Sequence, residues 1–142
     1  MLFFNGNAGN LSHRIDLISQ MLALLPVEVF IIDYRGYGKS EGTPTEQGIY
    51  LDADAAYNYL TRERRRSPEQ IILYGRSLGG AVAVDLATRV PAAGLLLEAT
   101  FSSGTDMARE MFKILPVWWF TTIKMTSDEK IRTVNMPILV LH

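Results

Sequence analysis

The stretch Ile71-Ile72-Leu73-Tyr74-Gly75-Arg76-Ser77-Leu78-Gly79-Gly80-Ala81-Val82-Ala83 runs an apolar strand pattern into G-x-S-x-G and then into small apolar residues that suit a helix. Gly75 and Gly79 stand two positions either side of Ser77 and carry no Cβ. A sharp strand-to-helix turn can therefore close there, with Ser77 at a strained apex. Such a turn projects the Ser77 hydroxyl above the sheet. It also leaves the Leu78 backbone N–H, at a helix N-terminus, free to hold an oxyanion. Ser77 is the candidate nucleophile, although a serine hydroxyl reacts poorly until an adjacent base takes its proton. The plainer alternative is a serine in an ordinary glycine-rich strand-to-helix turn.

The 142 residues have the size of one domain, spanning 1–142. Their 48% apolar and 20% charged residues fit a soluble globular chain. A net charge of −1 gives no electrostatic reason to expect a nucleic-acid partner. With no cysteine there is neither a thiolate nucleophile nor a Cys-based metal site, which fits a reducing, cytoplasmic setting. No apolar run reaches the ~20 residues of a membrane span, and Met1-Leu2-Phe3-Phe4 lacks the basic region of a signal peptide.

Five near-continuous apolar runs predict strands at Leu2–Phe4, Val27–Ile32, Gln70–Tyr74, Gly94–Glu98 and Ile138–Leu141. Leu11, Ile15, Ile18, Met21, Leu22 and Leu25 recur at helical spacing after the first, closed by Pro26. Thr43-Pro44-Thr45-Glu46 reads as the start of a second helix with Thr43 as its cap, ending in Arg62, Arg64, Arg65 and Arg66. A third runs from about Gly79 to Arg89, and further helical stretches are expected near Met107–Leu115 and at Asp128–Ile131. Alternating strands and helices predict an α/β fold, a mostly parallel sheet with helices on both faces.

Five segments in order resemble the α/β-hydrolase superfamily, in its abhydrolase-domain, serine-aminopeptidase-like branch. They are Asn5-Gly6-Asn7-Ala8-Gly9-Asn10, Asp33–Gly42 (Asp-Tyr-Arg-Gly-Tyr-Gly-Lys-Ser-Glu-Gly), Gly75–Gly80, Glu98-Ala99-Thr100-Phe101 and Pro137–His142. The resemblance implies a partial α/β-hydrolase fold that hydrolyses an ester, thioester or amide through an acyl-Ser77 intermediate. No cofactor or metal is implied, and the partner is a small acyl or peptide substrate. Leu78 and Asn7 would give the two oxyanion N–H donors, Asn7 from the loop where the superfamily places its second donor. Asn5 departs from the family pattern, which has a histidine there. Family members also have two strands before the position of Leu2 and, beyond that of His142, the triad acid, another strand and the catalytic histidine. The expectation is thus of a domain incomplete at both ends, inactive alone, with exposed edge strands that invite self-association. Relatives are often membrane-anchored. A non-catalytic binding module or a partial gene product is the competing expectation.

Neither histidine fits the family's base. His13 falls early in the first helix, where a surface or capping role is expected, and His142 ends the last strand. Glu98 ends the strand after the Ser77 helix, where some α/β-hydrolases carry their acid; bonding to the backbone of Thr100–Ser103 is the favoured role. Gly36-Tyr37-Gly38-Lys39-Ser40 resembles a phosphate loop, but Asp33 stands where the first Walker glycine is needed and no helix follows at once. The arginines at 62–66 read as a solvated helix end, and Trp118-Trp119-Phe120 as aromatic packing.

Overall fold

The computed structural model describes residues 1–6, 14–99 and 127–141. In chain order the elements are β1 (Leu2–Phe4), α1 (Ile15–Leu24), β2 (Phe30–Ile31), α2 (Glu46–Asn58), β3 (Ile72–Arg76), α3 (Leu78–Ala87), β4 (Gly94–Glu98), α4 (Ser127–Lys130) and β5 (Ile138–Leu141). The five strands form one sheet of order β2-β1-β3-β4-β5, and every pairing is parallel. This is the partial α/β-hydrolase sheet expected from the sequence.

Strand alternation divides the sheet into two faces. Leu2, Phe4, Leu73, Leu95 and Leu97 point one way and join α2 and α3 in a single buried cluster. Ile49, Ala53 and Ala56 come from α2; Val82, Ala83 and Leu86 come from α3. Phe3 and Tyr74 point the other way and stack, their rings 4.5 Å apart. With this strand order, right-handed crossovers put α1 on that second face, opposite α2 and α3.

Behind α3, Asp85 is a buried acid held between two cations. Arg89 reaches it at 2.6 Å and Lys130 of α4 at 2.7 Å. Lys130 also lies 4.5 Å over the Tyr50 ring. This pairing ties α4, and the chain leading to β5, onto α2 and α3.

Several boundaries differ from the sequence expectation. Only Phe30 and Ile31 of the Val27–Ile32 run pair with β1, because Val27 is drawn into a turn by its bond to the Leu25 carbonyl. β3 begins two residues later than expected and continues through Gly75 and Arg76, which pair with Leu97 and Glu98. The cap of α2 is Thr45, whose side chain accepts from the Gly48 N–H at 3.1 Å. Thr43 stays outside because Pro44 packs on the turn at Gly36. After α2 the chain widens into a π-type turn over Tyr59–Glu63. The expected helix near Met107–Leu115 and the Trp118–Phe120 segment lie outside the described residues.

Candidate functional site

The sheet has one point where successive connections leave in opposite directions: β1 leads outward to β2, whereas β3 leads to β4 on the other side. A crevice opens at the carboxyl ends of the strands at such a point, and open α/β sheets bind ligands there. Ser77 follows β3 and Asn5-Gly6 follow β1, so both lie at this crevice.

Ser77 links β3 directly to α3 with φ 55° and ψ −122°. A non-glycine residue at positive φ is strained by of order 1–3 kcal/mol and persists only where its surroundings over-determine it. Those surroundings are visible. The Ser77 N–H donates to the Glu98 carbonyl at 3.1 Å, and its own carbonyl accepts from the Gly80 N–H at 2.9 Å. Three glycines let backbones close around it. A Cβ on Gly75 would collide with the Gly79 carbonyl and stand 2.6 Å from the Gly80 Cα. One on Gly79 would collide with the Phe4 carbonyl and stand 2.7 Å from the Asn5 carbonyl oxygen. Gly6 faces the serine itself: a Cβ there would be 3.1 Å from the Ser77 Cβ and 3.5 Å from its Oγ.

Leu78 opens α3, so its N–H belongs to the helix-terminal set with no intrahelical acceptor, and it adjoins Ser77. The structure thus brings Ser77, Leu78 and the Asn5-Gly6 turn together. Asn7, His13 and His142 lie outside the described residues.

Glu98 is committed elsewhere. Its carboxylate accepts a hydrogen bond from the Tyr74 hydroxyl and lies 3.4 Å from Arg76 Nε. Burial and this acidic neighbour push the Tyr74 phenol well above its ordinary pKa. The carboxylate therefore cross-links the ends of β3 and β4, while the Thr100–Ser103 loop expected to engage it lies outside the described residues. Ala99, just beyond it, also has positive φ (46°). Two strained non-glycine residues, Ser77 and Ala99, thus stand on one rim of the sheet.

The Asp33–Gly42 segment is a self-bonded loop beside the crevice, and its interior rejects phosphate. Gly38 packs directly on the Asp33 carboxylate, which places a negative charge where a phosphate would enter. Tyr34, 1% exposed, donates its hydroxyl to the Asn5 carbonyl at 3.2 Å. Sequence reasoning gave Tyr34 and Gly6 no separate role, although both fall within segments it singled out.

The family model described as serine aminopeptidase, S33 matches residues 1–142. The chain belongs to this family, within the α/β-hydrolases. It is 43% identical over 122 residues to the alpha/beta hydrolase domain-containing protein WAV2 of Arabidopsis thaliana, covering 84% of this chain and 39% of that protein. Against protein bem46 of Schizosaccharomyces pombe the identity is 38% over 146 residues, covering 99% of this chain and 49% of the relative. The crystal structure of an alpha-beta hydrolase from Vibrio vulnificus superposes with a TM-score of 0.81 at 26% identity, covering 98% of this chain and 54% of that one. The chain therefore spans about half the length, or less, of the curated relatives WAV2 and bem46. Among its described residues, no helix is long and apolar enough to cross a membrane.

Proposed function

We propose that this hydrolase-family chain carries the nucleophile elbow of a serine hydrolase, with Ser77 attacking the carbonyl carbon of an ester, thioester or amide. The Ser77 hydroxyl oxygen bonds to that carbon, its proton passes to a base, and the carbonyl oxygen becomes an oxyanion held by the Leu78 and Asn7 N–H groups. Collapse expels the alcohol, thiol or amine, which takes up a proton, and leaves acyl-Ser77; water then releases the acid. The observation that carries this is the strained Ser77 backbone, wedged between β3 and α3 with Gly6 against its side chain. Strain at a serine that joins a strand directly to a helix is the geometry a nucleophile elbow requires.

Residues 1–142 supply only His13 and His142 as candidate bases, and neither matches the family position. Removing the base of a serine triad costs on the order of 10⁶ in turnover, yet an oxyanion hole alone retains roughly 10³–10⁴ over water. The 142 residues alone are therefore expected to react slowly but at one place. Incubation with a fluorophosphonate, followed by peptide mass spectrometry, should show slow labelling confined to Ser77. Labelling that persists unchanged in Ser77→Ala would overturn the assignment. Fast labelling would overturn the expected lack of a working base.

A second use of the fold, association of copies through β5, is favoured by the half-exposed apolar side chains of that edge strand, up to 53% at Leu139. Light scattering coupled to size exclusion separates a monomer from such a pair.

A further inference from the structure

The Asp33–Gly42 segment stands out in the sequence and is not used by the chemistry above. Its phosphate-loop pattern is misleading, because the Asp33 carboxylate fills the site against Gly38. The structure gives the loop a different task. It is rigid by construction: the Gly36 N–H donates to the Ser40 and Glu41 carbonyls at 3.2 and 3.1 Å, and the Ser40 hydroxyl to the Asp33 carbonyl at 2.8 Å. It is anchored to α2 by Arg35, whose guanidinium reaches Asp52 at 2.7 Å while its backbone N–H donates to the same carboxylate at 2.9 Å. Between these fixed points Tyr34 turns inward. Tyr37 packs edge-on against its ring, with centroids 6.0 Å apart.

The Tyr34 hydroxyl meets the carbonyl of the residue that begins the turn beside Ser77. α3 presses on the same stretch, since Gly79 abuts the Phe4 carbonyl and, next to it, that of Asn5. The Asn5–Gly6 peptide is thus held from two sides, by a hydroxyl from the loop and by the backbone of the serine-bearing helix. A buried hydroxyl requires a partner, so Tyr34 and this peptide fix one another.

We propose that Tyr34 is a positioning residue for the oxyanion-binding segment: through the Asn5 carbonyl it sets the orientation of the Asn5–Gly6 peptide relative to Ser77. The inference rests on the serine-hydrolase reading. In residues 1–142 tested alone, where neither histidine matches the family's base, the slow reaction of Ser77 depends chiefly on oxyanion stabilisation, so its rate reads the geometry beside Ser77 directly. Misplacing a reacting group by an ångström costs up to about a hundredfold, and loss of one anchoring hydroxyl is expected to cost about tenfold.

The test compares the saturating rate and half-saturation concentration of fluorophosphonate labelling in the wild-type chain, Tyr34→Phe, Ser77→Ala and Ile49→Val. The last trims the core cluster and controls for lost stability. Tyr34→Phe should label about tenfold more slowly at saturation with unchanged half-saturation, and hydrogen exchange at Gly6 should quicken about tenfold while that at Tyr74 holds. Ile49→Val should label at the wild-type rate per folded molecule. Arg35→Gln, which loosens the loop without touching the buried ring, should slow labelling by a smaller factor. A Tyr34→Phe rate equal to wild type overturns the proposal, as does a change in half-saturation alone or an equal slowing in Ile49→Val. Wild-type labelling no faster than Ser77→Ala removes the serine-hydrolase reading itself, and the role of Tyr34 with it.

Discussion

The rim where β1 and β3 end and the outer strand β5 are built from the same parallel sheet but by opposite rules. At the rim, backbones approach so closely that Gly75 and Gly79 have no room for a methyl group, and Ser77 is forced to positive φ. Along β5, all four side chains stay partly open to solvent despite being Ile, Leu, Val and Leu. Tight packing at the rim fixes the strained backbone of Ser77, whereas β5 is held by backbone pairing to β4 on one side. The same substitution should therefore cost very different amounts in the two places.

Gly79→Ala is the sharpest way to break the contrast. Its new methyl group meets backbone that cannot rotate aside, so urea denaturation should show a loss of about 3 kcal/mol or more. Asp85→Asn comes next. It weakens a charge cluster behind α3 in which the Asp85 side chain is only 10% exposed, and about 2 kcal/mol should be lost, less than for a fully buried pair because Arg89 keeps Asp54. Ser77→Gly should act in the opposite sense, raising stability by about 1 kcal/mol as the strain is relieved while removing all labelling at position 77. A Ser77→Gly variant less stable than wild type would mean that the apex stores no strain.

Alkaline titration tests the loop beside the rim. Burial pushes the Tyr37 phenol up to about 12 and raises Tyr34 well above its ordinary value. Both are raised above their unfolded values, so their contribution is complete below about pH 10 and is lost as the pH climbs through the folded values. Stability should fall between pH 10 and 12, and Tyr37→Phe should flatten that fall. The smallest effect is expected at the open edge. Leu139→Lys should change stability by less than about 0.5 kcal/mol and should lower any tendency to associate, as read by light scattering.

Where the sequence was legible, one local signal sufficed. β4 and β5 are apolar runs introduced by Gly94 and Pro137, and their ends coincide with expectation. The serine turn was legible because its glycines are spaced around it. At Val27–Ile32 five apolar residues in six favour a strand, but pairing depends on a partner, and β1 meets only Phe30 and Ile31. Pro44 and Glu46 favour Thr43 as the cap of α2 locally, and the packing of Pro44 on the Gly36 turn moves the cap to Thr45. Tyr34 and Glu98 were harder still. Their partners, Asn5 and Tyr74, are remote in sequence and become neighbours only when the sheet forms.

That remoteness bears on how the site comes into being. β1, the first of the described strands, lies inside the sheet between β2 and β3, and Leu2 finds its register opposite Leu73. Closing so long a loop is slow and cannot occur while the later strand is unmade. Until then the Asn5–Gly6 turn and Ser77 have no reason to meet. The reactivity proposed for Ser77 should therefore be among the last properties acquired during folding, and a covalent serine probe added to a refolding chain would time the insertion of β1.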